Sequence, residues 1–219
     1  MSSMPAVTRG SGCARGLDRV ARWLGRHWLA VINLFWGAYI GLAILAPVLM
    51  LAGWTGPAKA IYLLYRPACH QRPERSFFLG GPHIAYSGDE LAAAGIDVDP
   101  LARANGSAAV GFKIAVCERD TALYGSVFVS GLIYGVFRKR LRRLRLPLWA
   151  CLLFLAPLAV DGSLQLFGLY ESTWPLRALT GVLFGLGPVL YAYPLIDESL
   201  VDMGPPRPVP LAGWDGRTG

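Results

Sequence analysis

Residues 29–54 contain no charged side chain, and this stretch sets the class of fold. At about 1.5 Å per residue it exceeds the ~30 Å of a hydrocarbon core, so it spans with tilt. It is too long for the apolar core of a signal peptide and ends without a small-residue cleavage pattern. Asn33 is the one strongly polar side chain near its start, and Pro47 should kink its far end.

Three more apolar segments follow, at 121–137, 146–166 and 175–196. With 54% hydrophobic and only 16% charged residues, the chain is too apolar for an ordinary soluble domain. The expected fold class is all-α: a polytopic helical membrane protein with about four transmembrane helices plus short interfacial helices. A net charge of +7 would suit nucleic acid, but the basic residues cluster beside the apolar segments, as the positive-inside rule requires. Membrane lipid is the expected partner and nucleic acid is not. No protein partner is legible.

The basic clusters also orient the chain. Arg15, Arg19, Arg22 and Arg26 lie opposite Leu17, Val20, Leu24 and Trp28, which reads as an amphipathic basic helix at 13–28 on an anionic membrane surface. Residues 138–145, RKRLRRLR, are basic at six of eight positions. Both stretches belong in the cytoplasm, and four spans return the carboxyl end there. A multi-pass protein of the cell membrane with both termini cytoplasmic is expected. Residues 1–14 and 199–219 read as disordered tails around a membrane domain at 15–198. Segment 55–118 becomes an outward loop, with a half-helix at 57–65 and a solvated insertion at 81–116 that holds a short helix at 89–94.

Residues 161–181 (DGSLQLFGLYESTWPLRALTG) put ionisable groups between two apolar segments, where each costs at least about 2.5 kcal/mol to insert. Asp161 and Gln165 share a face of the third helix, and Arg177, Thr180 and Gly181 share one of the fourth. Counted out from the turn, Asp161 and Arg177 come at comparable depth. Arg177 stands in the first turns of its helix, where the dipole disfavours a cation, so it needs an anion: Asp161, Glu171 or an anionic ligand. Either Asp161 and Arg177 lock the hairpin as a pair, or they belong to a site. Gly181 and Gly185 have the spacing of helix packing.

The outward loop holds the remaining chemistry. Cys69, His70, Cys117 and Asp120 offer two sulfurs, an imidazole and a carboxylate, all ligand types for zinc. Adjacent Cys69 and His70 are poorly placed to bind one ion together, which favours three ligands plus water, such as Cys69, Cys117 and Asp120. The two cysteines can instead pair as a disulfide in an oxidising compartment, or stay reduced and packed. Cys13 and Cys151 belong to no motif. Arg72, Arg75, Arg119 and Arg177 either hold a phosphate or carboxylate through the guanidinium fork or contact lipid head groups nonspecifically.

Taken in order, CHQRPERSFFL at 69–79, CERDTALYG at 117–125 and the 161–181 motif resemble the bacterial and archaeal membrane proteins grouped as domain-of-unknown-function family 2085. The resemblance covers about residues 62–198. It marks Cys69, His70, Gln71, Arg75, Ser76, Cys117, Arg119, Asp161, Gly162, Gln165, Ser172, Arg177, Thr180 and Gly181. The chain departs from the family pattern at Asp120, where many relatives have a second cysteine. The resemblance implies an architecture and a place for a site, but no activity.

Functions of different classes fit these residues. One is a membrane enzyme acting on an anionic lipid or isoprenoid head group. Asp161, Gln165, Arg177 and His70 would stand at the chemistry, Arg75, Arg119, Ser172 and Thr180 would bind substrate, and Cys69, Cys117 and Asp120 would hold zinc. Another is a non-catalytic membrane scaffold or partner subunit held by a structural disulfide. A third, a thiol redox protein, requires Cys69 and Cys117 within bonding distance. Clustering of Asp161, Gln165, Arg177, Arg119 and His70 around one open cavity favours the enzyme. Fully paired side chains without a cavity favour the scaffold.

Overall fold

The computed structural model describes residues 12–99, 102 and 104–202. Among these residues the chain is mostly helical, and three helices are long and apolar enough to cross a membrane. The first, α1 (Gly12–Leu51), is a single helix of 40 residues. The surface helix and first span expected as separate elements are therefore fused, because no residue near Trp28 breaks the backbone ladder. At about 60 Å, α1 is twice as long as a hydrocarbon core is thick, so its basic end continues along the axis of the span. Leu17, Val20 and Leu24 are exposed, whereas Trp28 is buried.

Gly53, with φ 82°, turns the chain back into α2 (Thr55–Tyr65). Ile61, Tyr62 and Tyr65 of α2 pack on Ile40, Ala43 and Ala46 of α1. A 3-10 turn (Pro73–Arg75) and β1 (Phe78–Leu79) follow, then α3 (Gly88–Ala93), capped reciprocally by Ser87 and Glu90. Next come β2 (Gly106–Ser107) and β3 (Gly111–Lys113), forming an antiparallel sheet of order β1-β3-β2 with Phe78 opposite Lys113 and Ser107 opposite Gly111. The insertion expected as a solvated loop thus has a core of its own: Phe78, Tyr86, Leu91, Ile96 and Val110. Strands of two or three residues are too short to display an alternating pattern, so the sequence carries no sign of them.

The chain then enters α4 (Glu118–Val136), a single turn α5 (Arg138–Leu141) inside the basic stretch, α6 (Leu148–Leu166) and α7 (Trp174–Asp202). Helix α4 packs against α1 and, most extensively, α7; α6 packs against α7. The helices apolar enough to span are α1, α6 and α7. Helix α4 matches the 19 residues of α6, but it opens on Glu118, Arg119 and Asp120. Of the expected tails, residues 12–14 and 199–202 are helical, while 1–11 and 203–219 lie outside the described residues.

Glycines set the α4–α7 spacing. A Cβ at Gly181 would stand 2.7 Å from the carbonyl oxygen of Arg119, and one at Gly185 would collide with Ser126 and the Leu123 carbonyl. Close approach of this kind is how small residues stabilise helix pairs in lipid. At the carboxyl end of α4, the buried Asp197 of α7 gathers donors from three other elements. It accepts from Trp28 Nε1 at 3.0 Å, Tyr134 Oη at 2.9 Å, and Arg138 Nε and Nη2 at 2.8 and 2.6 Å.

Candidate functional site

The close α4–α7 approach decides which charges meet at the other end of α4. Arg177 lies one turn before Gly181, so the face of α7 that abuts α4 carries its guanidinium to the first turn of α4. There Nη1 donates to Glu118 Oε2 at 3.0 Å, with Arg177 8% and Glu118 1% exposed. Arg119, the next residue, points about 100° further round the helix and donates to Asp161 on α6.

A direct Asp161–Arg177 pair, one of the two readings the sequence left open, is therefore not formed. Helix α4 presents an anion and a cation at consecutive positions, and each helix of the hairpin pairs with α4 instead of with the other. Asp161 is buried and also accepts from Gln165 Nε2 at 3.0 Å and from the Tyr170 hydroxyl. Donating that proton to a carboxylate raises the Tyr170 pKa above the ordinary phenol value.

The thiols meet beside this junction. Cys117 caps α4, its Sγ accepting from the Asp120 N–H at 3.4 Å. Cys69, which follows α2, accepts from the Cys117 N–H at 3.3 Å. Both cysteines are free, and the ligand atoms of Cys69, Cys117 and Asp120 all lie within 4.8 Å of one another. A hydrogen bond from the Cys117 thiol pulls Cys69 below the ordinary thiol range; the same bond, together with burial, holds Cys117 well above it. Among the described residues, no donor or cation pairs with the Asp120 side chain.

The turn that carries Cys69 is fixed from behind by Gln71. Its φ of 53° is left-handed, uncommon for a residue with a Cβ, and is held by bonds on both sides. Gln71 Nε2 donates to the Tyr62 carbonyl at 2.7 Å, and its own carbonyl accepts from the ammonium of fully buried Lys113. Tyr62 Oη donates in turn to the Lys113 carbonyl at 2.5 Å. Helix α2, the Gln71 turn and β3 are thereby laced together beside the cysteine.

The Cys69–Arg75 turn, the start of α4 and the facing ends of α6 and α7 line a cavity of about 280 Å³. Cys69, His70, Arg75, Cys117, Arg119, Asp120, Gln165 and Arg177 line it, so eight of the eleven residues given a catalytic, substrate or metal role from the sequence meet there. Three others do not line it. Asp161 stands behind Arg119 and Gln165, bonded to both. Ser172 lines a neighbouring cavity of about 500 Å³ with Glu118, Glu171 and Arg177. Thr180 is buried, with its hydroxyl bonded to the Leu176 and Arg177 carbonyls of its own helix at 2.9 and 3.2 Å. Both bonds stay within α7. Arg119 and Arg177 each keep a buried Nε–H with no partner among the described residues.

Sequence reasoning passed over Glu118, Tyr170, Lys113 and Asp197. Glu118 reads as an ordinary first-turn acid that suits the helix dipole. The signal pointing to it was Arg177, whose need for an anion was legible although its partner stands on another helix.

A family model described as a predicted membrane protein (DUF2085) matches residues 108–191, taking in Cys117, Arg119, Asp120, Asp161, Gln165 and Arg177. An uncharacterized protein of Methanocaldococcus jannaschii is 31% identical over 181 residues, covering 80% of this chain and 96% of that protein. No solved structure matches the chain. The motif at 117–125 and the one at 161–181 both fall inside the family match, and the likeness to the archaeal relative extends over nearly all of its length. The chain belongs to the DUF2085 family of predicted membrane proteins.

Proposed function

We propose that the cavity receives the anionic head group of a lipid or isoprenoid, and that the protein is a membrane enzyme acting on it. The observation carrying this reading is the convergence of Arg119 and Arg177 on one cavity that Arg72, Arg75 and His70 also line. Guanidinium forks gathered on one opening match the geometry of a phosphate or carboxylate. The bonds of Arg119 to Asp161 and of Arg177 to Glu118 hold their forks in place, so both acids are positioning residues. Arg119, Gln165, Arg177 and His70 line the cavity, and Asp161 is bonded to the first two. A scaffold calls for no such opening.

Native mass spectrometry of the detergent-solubilised protein with a polyisoprenyl phosphate and with a neutral lipid of equal chain length tests this. The anionic lipid should be retained at least about tenfold better, a difference of ~1.4 kcal/mol. Arg75→Gln and His70→Ala, both at the cavity and outside the two buried ion pairs, should lower retention without changing thermal stability. Equal retention of the two lipids would overturn the reading.

In the same reading the cavity faces outward. Helix α4 is about 28 Å long, close to the ~30 Å hydrocarbon thickness, with its charged first turn at one interface and Arg138 just past the other end. This supports α4 as a fourth span, and with four spans the positive-inside rule favours residues 138–145 and both termini on the cytoplasmic side. Cysteines introduced singly as Ala94→Cys and Arg142→Cys, with the native four replaced by serine, should label from opposite sides of intact cells. Labelling of both from one side would rule out the four-span arrangement.

A further inference from the structure

We propose that Cys69, Cys117 and Asp120 form a mononuclear site for a thiolate-preferring divalent cation of the zinc class, with its fourth position open to the cavity. Ligands about 2.0–2.3 Å from a tetrahedral zinc stand roughly 3.3–3.8 Å from one another. The three ligand atoms here already lie within 4.8 Å, so side-chain rotation of about 1 Å closes the set around an ion. Two sulfurs and one carboxylate oxygen suit zinc; magnesium and calcium prefer all-oxygen shells.

The surroundings of each ligand support this assignment. Both sulfurs accept a backbone N–H, Cys69 from Cys117 and Cys117 from Asp120, and such outer donors orient metal-binding thiolates and offset their charge. Cys117 and Asp120 are three apart at the start of α4, a rigid element, while the bonds around Gln71 hold the Cys69 turn. The nearby arginines are committed elsewhere: Arg72 to Glu74, Arg119 to Asp161, Arg177 to Glu118. That leaves the Asp120 carboxylate beside two thiols without a cation among the described residues. A disulfide makes no use of this carboxylate, whereas a metal site takes it as the third ligand.

His70 lines the cavity, but its nitrogens are not among the mutually close ligand atoms. Three protein ligands and an open position are the arrangement of a catalytic centre, in contrast to the closed four-ligand shell of a structural one. An ion there would face the same space as Arg119 and Arg177 and present a Lewis acid to a phosphate or carboxylate oxygen. This last step rests on the head-group reading; the metal site itself does not.

The test uses the full chain, purified in detergent under reducing conditions and equilibrated with zinc or cobalt. Elemental analysis should give about one zinc per chain. Cobalt should produce the visible bands of a tetrahedral site together with a near-ultraviolet thiolate charge-transfer band. Cys69→Ser and Cys117→Ser should abolish that band and weaken zinc binding at least about tenfold, while Asp120→Asn should weaken zinc but keep the thiolate band. Asp120→Cys supplies a third sulfur and should retain zinc at least as tightly, so the proposal stays falsifiable if a serine variant fails to fold. No stoichiometric zinc on a protein whose thiols titrate as free would overturn the proposal. So would zinc content indifferent to all four variants, or a Cys69–Cys117 disulfide in protein isolated from cells. Stoichiometric zinc without lipid selectivity would keep the metal site and reject the head-group reading, and the converse result would do the opposite.

Discussion

Asp197→Ala should destabilise the protein by about 3–5 kcal/mol, the range expected when a buried ion pair loses one partner. The Asp197 side chain is 1% exposed and accepts from α1, α4 and Arg138 at once. Removing it orphans the Trp28 indole and the Tyr134 phenol, at about 1–3 kcal/mol for each unsatisfied group. Arg138 is 44% exposed and can turn to water, so its share is discounted for solvent screening. Trp28→Phe, which removes a single donor, should cost nearer ~1 kcal/mol. Equilibrium unfolding in mixed detergent orders the variants. A loss below ~0.5 kcal/mol for Asp197→Ala would mean that the cluster does not hold the bundle.

The second large effect concerns the two ion pairs at the cavity. Glu118→Gln or Arg177→Gln should each cost about 3–5 kcal/mol, because side chains 1% and 10% exposed leave the survivor dry and unpaired. Arg119→Gln should cost less: Asp161 keeps Gln165 and Tyr170 as donors. Double-mutant cycles should give coupling of about 0.5–3 kcal/mol for Glu118 with Arg177 and for Asp161 with Arg119. Asp161 with Arg177 should add within ~0.5 kcal/mol, the behaviour of residues that share no partner. Coupling of that cross pair as strong as the other two would restore the direct hairpin clasp.

The helices were legible because uncharged runs as long as a bilayer is thick have few other uses. Their ends were less so. Hydropathy counts Glu118, Arg119 and Asp120 against a span, yet Cys117 caps that turn and its carboxylates suit the dipole, so α4 starts before the apolar run. Likewise α7 passes Asp197 because the carboxylate finds partners on other elements, while hydropathy stops at the first acid. The chemistry at the cavity was legible as residue types: thiols, a histidine, arginines and a carboxylate in segment 55–118, the start of α4 and the hairpin. Their pairing was not, since it depends on which face of α4 meets α7, and that follows from backbone contact at Gly181 and Gly185. The small sheet is set by pairing across the insertion, and segments that short show no periodicity of their own.

Helices α4 and α7 are pinned to each other twice, by Arg177 to Glu118 near one end and by Asp197 to Tyr134 and Arg138 near the other. A piston stroke of α7 along α4 by one helical turn, about 5.4 Å, would have to break both clusters together and drag Gly181 and Gly185 out of contact with the α4 backbone. Nothing along that path replaces the lost bonds until the whole turn is complete. The pair should therefore travel as one rigid body, and any opening of the cavity must come from a segment that lacks such double anchoring: the Tyr170 side of the hairpin, swinging about Arg119 while the Cys69 turn stays held by Gln71.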